Sequence, residues 1–207
     1  MSPAKPLRIM GIDPGTNRMG YGVLEVKGNQ VACVVLGNIE LGKLPDPYAK
    51  LHHIFERVSA LIDAYTPDEV AFESPFFGEN VQSMLKLGRA QGVAMAAALH
   101  KELPVFEYAP RRIKQAITGT GGAGKEQVAA MLRSMLGVEY EPKKLDATDG
   151  LAVALCHWFI RSSPLPSATT RHAGVARKHA ESWESFLARN PEREVVTKPK
   201  TPNKKQL

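Results

Sequence analysis

The element order read from the sequence, βββαβαβα followed by more helix, predicts an α/β layered domain built on a mixed sheet. Two observations carry that prediction. The first three strand-like runs follow one another with only turn signals between them, as an antiparallel meander does. The next two strands are each reached through an amphipathic or apolar helical stretch, as parallel crossover strands are. The expected sheet therefore has five strands, three antiparallel and then two parallel, flanked by helices.

Each element has its own signal. Residues 8–13 (Arg-Ile-Met-Gly-Ile-Asp) read as a buried strand, and Pro14-Gly15 ends it in a turn. Residues 21–26 and 31–41 are β-branched or alternating, with Gly28-Asn29 as the hairpin turn between them. Leu51, Ile54, Phe55, Val58, Leu61, Ile62 and Tyr65 recur at spacings of three and four, which places them on one helical face. Thr66-Pro67 stops that helix, and 69–73 is the next strand. A loop with Pro75, Phe76, Phe77 and Gly78 leads into a helix over 81–100 rich in small residues, among them Gly88, Ala90, Gly92, Ala94 and Ala96 to Ala98. Small side chains let another helix approach closely, either within the subunit or from a second copy. A strand at 105–108 is followed by helices near 110–117, 125–136 and 145–160, with Pro110 suited to a first helical turn. Residues 1–162 form the expected folded domain. Residues 163–207 turn Ser/Pro/Thr-rich and then basic, and read as a disordered tail with a short helix around Trp183, Phe186 and Leu187.

Composition narrows the function. The 207 residues are 43% apolar and 23% charged, an ordinary globular balance. The longest apolar run, 93–99, is far shorter than the roughly 20 residues a membrane span needs. The N-terminus enters a strand directly, with no signal-peptide core, and Cys33 and Cys156 support neither a disulfide framework nor a four-ligand zinc site. A reducing, cytoplasmic setting is expected. The net charge of +6 makes a polyanionic partner worth considering. Residues 1–160 nevertheless carry 17 Lys+Arg against 17 Asp+Glu, so the excess lies wholly in the last segment, with 10 against 4.

Four acids stand out by position. Asp13 ends the first strand and Glu73 the fourth, while Asp146 and Asp149 lie three apart in the first turn of the last helix and so share a face. Strand carboxyl ends are where sites form in open α/β sheets. If strands one and four are parallel neighbours, both carboxylates reach one edge, and the helix bearing the Asp pair can cross it. An all-carboxylate cage suits a hard cation, Mg²⁺ or Mn²⁺. Two such ions about 3.5–4 Å apart serve phosphodiester cleavage. Each acid alone also fits a turn former or a dipole cap; their joint placement favours the metal site. Arg111, Arg112 and Lys114 cluster after a strand and Lys125 follows a glycine loop, which suits phosphate contact or a solvated helix face. Of Phe76 and Phe77, one suits the core and the other an exposed position. Residues 119–125 nearly spell a phosphate-binding loop, but Glu126 stands where Ser or Thr must hold Mg²⁺, and a helix pattern precedes the loop where a strand is required. His52, His53, His100, His157, His172 and His179 have no partner at ligand spacing and read as structural or solvated.

Taken together these residues resemble the RuvC-type Holliday-junction resolvases, endonucleases of the RNase H-like superfamily. The resemblance runs from about Leu7 to residue 160. It rests on Gly11-Ile12-Asp13-Pro14-Gly15, Gly20-Tyr21-Gly22-Val23, Glu73 with Phe76, Leu85-Lys86-Leu87-Gly88, residues 103–108, Ile113-Lys114-Gln115 and 146–154, in that order. It implies the RNase H-like fold and a homodimer that binds four-way DNA junctions. It further implies paired symmetric nicks in strands of like polarity, leaving 5′-phosphate and 3′-hydroxyl ends. The cofactor it implies is Mg²⁺, with Mn²⁺ expected to substitute and two ions expected per site. It also implies partnership with the RuvA–RuvB branch-migration complex in recombination and repair. Asp13, Glu73, Asp146 and Asp149 match the family's acidic quartet. Lys114 and Lys125 match lysines near the scissile phosphate, Phe76 an aromatic at the junction centre, and Arg111 joins them as an expected DNA contact. Two other readings stay open: a non-catalytic junction-binding protein, and a nuclease of the same fold acting on another branched or hybrid substrate. The family ending is expected near residue 180, so about the last 27 residues depart from the resemblance.

Overall fold

Alternation along the strands sorts the core into two faces. In the computed structural model, which describes residues 5–75, 80–138 and 146–163 with Ser185, Ala188, Arg189 and Pro191, β1 (Leu7–Asp13) turns Ile9 to one face and Met10 and Ile12 to the other. β2 (Arg18–Lys27) and β3 (Gln30–Glu40) continue the meander antiparallel, joined by a turn in which Gly28 takes φ 62°, the left-handed region glycine tolerates. After α1 (Pro47–Tyr65), β4 (Glu69–Glu73) pairs parallel to β1. After α2 (Val81–His100), β5 (Val105–Tyr108) pairs parallel to β4. The sheet order is β3-β2-β1-β4-β5, with three antiparallel strands and two parallel ones as the element order predicts. Then come α3 (Pro110–Thr118), α4 (Lys125–Leu136) and α5 (Asp146–Ser162).

The helices make two layers. α1 and α2 cover the face of Met10, Ile12, Val70 and Phe72, and α3, α4 and α5 the face of Ile9, Leu24, Ala71 and Tyr108. α1 starts four residues before the apolar periodicity does. Asp46 accepts from the Tyr48 and Ala49 amides and Pro47 opens the helix, so capping chemistry sets this end. Thr66, at φ 45°, closes it. Ile54, Val58, Leu61 and Ile62 are buried as expected, whereas Phe55 sits at the edge of the face, 38% exposed, its ring 6.2 Å from that of His100.

The small residues of α2 divide by face. Ala90, Ala94, Ala97 and Ala98 pack inside the subunit. Gly88 and Gly92 look outward, beside exposed Val81, Leu85 and Leu99.

The deepest packing lies where α5 crosses β1 and β2. Gly11 and Gly22 face each other in the β1–β2 register. A Cβ on Gly11 would stand 2.2 Å from the Gly150 carbonyl oxygen, and one on Gly22 2.6 Å from the Leu151 Cα. The paired glycines form a trough in which the helix lies against bare backbone. Further along, α5 is tied to β4 and β5 by a buried polar chain. Tyr108 Oη lies 2.6 Å from His157 Nδ1, His157 Nε2 lies 2.7 Å from Glu69 Oε2, and Arg161 pairs with Glu69 Oε1. His157 is therefore structural, its two ring nitrogens both engaged.

The chain divides into two units, Met1–Gly174 and Val175–Leu207. In the second, Ser185, Ala188 and Arg189 are helical and exposed; the expected helix residues Trp183, Phe186 and Leu187 lie outside the described residues, as does the rest of the tail apart from Ser163 and Pro191. No described helix is long and apolar enough to cross a membrane.

Candidate active site

Strand parity brings the acids together. Asp13 shares its face of β1 with Ile9 and Gly11, and Glu73 shares its face of β4 with Ala71; both faces look toward α5. Ile12 pairs with Phe72 in the parallel ladder, so the two carboxylates end adjacent strands side by side. They line one cavity of about 190 Å³ with Pro14, Ser74, Pro75 and Leu87. α5 begins above this edge. Asp149, in its first turns, is close enough to Glu73 to raise its pKa.

The charge balance of the pocket shows in Glu73. Burial and then the Asp149 charge push its carboxyl up to about 7, against the lowering pull of Lys125 and Lys114. Lys125, at the start of α4, sets its Nζ 2.7 Å from Asp149 Oδ2. Asp149 is 16% exposed and Lys125 57%, so the pair sits at the mouth of the site, open to solvent on the lysine side. Lys114, on α3, is near enough for its charge to lower the Glu73 pKa as well. Arg111 is exposed, its stem laid over Gly121 in the α3–α4 connection. The glycine-rich 119–124 segment links two helices, which agrees with its exclusion as a nucleotide loop.

Among the described residues, no three His, Cys, Asp or Glu side chains are gathered into a metal-binding group. Asp13, Glu73 and Asp149 are the described acids of the quartet; the Asp146 side chain lies outside the described residues, as do Phe76 and Phe77. The donor set fits a hard divalent cation all the same. It is oxygen only, and Asp149 adds a second negative charge beside the buried Glu73 carboxyl.

Sequence reading missed the supports beneath Glu73. Gln91 of α2 is 5% exposed and donates from Nε2 to Glu107 Oε1 at 2.9 Å and to the Glu73 carbonyl at 3.4 Å. Nothing in its helical neighbourhood marks it, because its partners lie on other elements.

A mixed five-stranded sheet with carboxylates at the ends of its two central parallel strands, and a helix carrying a third across that edge, has the frame of an RNase H-like nuclease. The sequence pattern of the crossover junction endodeoxyribonuclease RuvC family matches residues 9–157. The chain is 52% identical to crossover junction endodeoxyribonuclease RuvC of Cytophaga hutchinsonii over 96% of its length and 92% of that protein. It is 54% identical to that of Porphyromonas gingivalis, over 93% and 99%. The solved structure described as Thermus thermophilus RuvC in complex with Holliday junction substrate superposes with a TM-score of 0.68 at 34% identity, over 74% of this chain and 93% of that one. This protein belongs to the RuvC family. The Cytophaga match runs past residue 180, whereas 180 aligned residues cover 99% of the Trichlorobacter lovleyi relative, so the last segment is shared with some relatives and not with others.

Proposed function

We propose that this protein is a structure-specific endonuclease that resolves four-way DNA junctions in recombination and repair. It acts as a homodimer in the cytoplasm, nicking two strands of like polarity at symmetric positions and leaving 5′-phosphate and 3′-hydroxyl ends. One observation carries the chemistry: Asp13 and Glu73 end adjacent parallel strands within one cavity, on the face that Asp149 approaches from α5. Membership of the RuvC family supplies the substrate class, and a relative solved with a Holliday junction supports it.

Asp13, Glu73, Asp146 and Asp149 would hold Mg²⁺, or Mn²⁺ in its place, with two ions per site. The bound ions would supply an activated water and stabilise the leaving oxygen. The chain's own groups do the rest. Strand ends and the α5 trough hold the carboxylates in place before substrate arrives. Lys114 and Lys125, which already act on the pocket, offer positive charge to the phosphodiester, and Arg111 offers it further out on the exposed face of α3. Phe76, just past Glu73, is placed by sequence to stack on or wedge between bases at the junction centre. The outward stripe of Val81, Leu85, Gly88 and Gly92 on α2 is the surface assigned to the second copy. A two-fold dimer matches a substrate that needs two symmetric cuts. The RuvA–RuvB complex is the assigned branch-migration partner.

A mobile synthetic four-way junction tests this. With Mg²⁺, paired ligatable nicks are expected from the wild type and none from Asp13→Asn or in EDTA. Wild type mixed with Asp13→Asn protein should add junctions cut on one side only. Junction binding without cleavage in either Mg²⁺ or Mn²⁺ would overturn the assignment.

A further inference from the structure

We propose that Gln91 is a positioning residue for Glu73, held in turn by Glu107, and that it thereby sets the affinity of the carboxylate site for its divalent cation. The inference rests on the proposed function and names a part of the site that the acidic quartet does not include. Glu73 ends β4. Beyond it Ser74 donates its amide to the Tyr108 carbonyl, which secures the chain on the β5 side. On the β1 side the chain runs from Asp13 into Pro14, which has no N–H to offer the Glu73 carbonyl. Gln91 supplies a donor there. Its amide nitrogen carries two hydrogens, and the two acceptors it meets are the Glu73 carbonyl and Glu107 Oε1. Both are acceptors only, so the amide has one consistent orientation.

Glu107 lies opposite Phe72 in the β4–β5 register, on the sheet face that α2 covers, while the Glu73 carboxylate looks to the α5 face. Gln91 thus holds the strand end from behind. Losing it would free a backbone carbonyl directly under a metal-holding side chain and leave a carboxylate beside it without its amide partner.

The test uses the full chain. Gln91→Leu removes both donors, and Gln91→Arg keeps two donors in fork geometry. Mn²⁺ binding is measured by titration calorimetry without DNA, and single-turnover junction cleavage is measured across Mg²⁺ concentrations. Gln91→Leu should bind Mn²⁺ and half-saturate with Mg²⁺ roughly 10–100-fold more weakly, the usual effect of removing a group that orients a metal ligand. Its junction binding in EDTA should be unchanged, and Gln91→Arg should recover most of the loss. Unchanged Mn²⁺ affinity in folded Gln91→Leu overturns the inference, as does a rate loss at the wild-type Mg²⁺ requirement. If Gln91→Leu does not fold, Glu107→Ala, at a partly exposed site, must shift Mn²⁺ affinity in the same direction, and no shift overturns the inference. Failure of the wild type to cleave would instead strike at the proposed function, and the DNA-free Mn²⁺ titration separates the two.

Discussion

Glu73 is a carboxyl kept close to neutrality by its surroundings. Its pKa is raised to about 7, by burial first and the Asp149 charge second, so the folded protein binds that proton more tightly than the unfolded chain does. The sign follows: the group costs nothing below the unfolded value near 4.5, and its cost grows as pH rises to about 7 and stays full above. Without metal, Glu73→Gln should therefore melt above the wild type at pH 8 and close to it at pH 4.5, while losing cleavage. Thermal melts in EDTA at the two pH values check this; equal differences at both would show that Glu73 does not titrate as described. A divalent cation bound there would reverse the cost by supplying positive charge. Burial likewise pushes the Cys156 thiol up to about 12, so it behaves as a small apolar core group, which suits a chain whose two cysteines carry no motif. Asp13 and Glu73 were legible in sequence because each follows an apolar strand and precedes a turn or loop. Gln91 and Glu107 were not, because a glutamine in a helix and a glutamate in a strand are ordinary until a third element brings them together.

Among the elements, α5 has the most exacting placement. It carries Asp149 and lies in the Gly11–Gly22 trough at one end, and it is held through His157 to Tyr108 and Glu69 further along. The trough leaves no room for a methyl group, because the nearest atoms are helix backbone that cannot rotate aside. Gly22→Ala should destabilise the fold by roughly 1–3 kcal/mol, as overpacking does. It should also slow cleavage at saturating Mg²⁺ by lifting Asp149 away from Glu73. Denaturant melts and single-turnover rates measure both; a variant with wild-type stability and rate would show that the helix has slack there. The helix itself was legible from its apolar run. Its depth was not, since a glycine in a strand reads equally as a bulge, a weak point or a close approach. The other strands and the ends of α2 and α3 matched their signals to within a residue, while β2 began three residues early, at Arg18. α1 began early because a cap and a proline start a helix before any apolar periodicity can appear.

Across the whole molecule, charge is separated where the total conceals it. Residues 1–160 sum to zero, yet acids gather at the strand ends while Lys114 and Lys125 stand around them. The excess of +6 lies in residues 161–207. We propose that this segment makes salt-sensitive, sequence-independent contact with nucleic acid, the alternative being a solvated, idle tail. Deleting 163–207 should weaken junction binding at low salt and flatten its dependence on salt, leaving the preference for four-way over linear DNA intact. Competition binding across salt concentrations checks this, and lost preference would place junction recognition in the tail.

The sequence by itself determined the element order, the mixed sheet and the four acidic candidates, because strand alternation, helix periodicity and turn residues are local and leave local marks. Only the tertiary structure decided that β1 and β4 are parallel neighbours with Asp13 and Glu73 on one face, how deeply α5 sinks over them, and which groups hold Glu73 from behind. Those facts depend on close approach and burial between residues far apart in the chain, where van der Waals fit and desolvation act at ångström range and no spacing in the sequence records them.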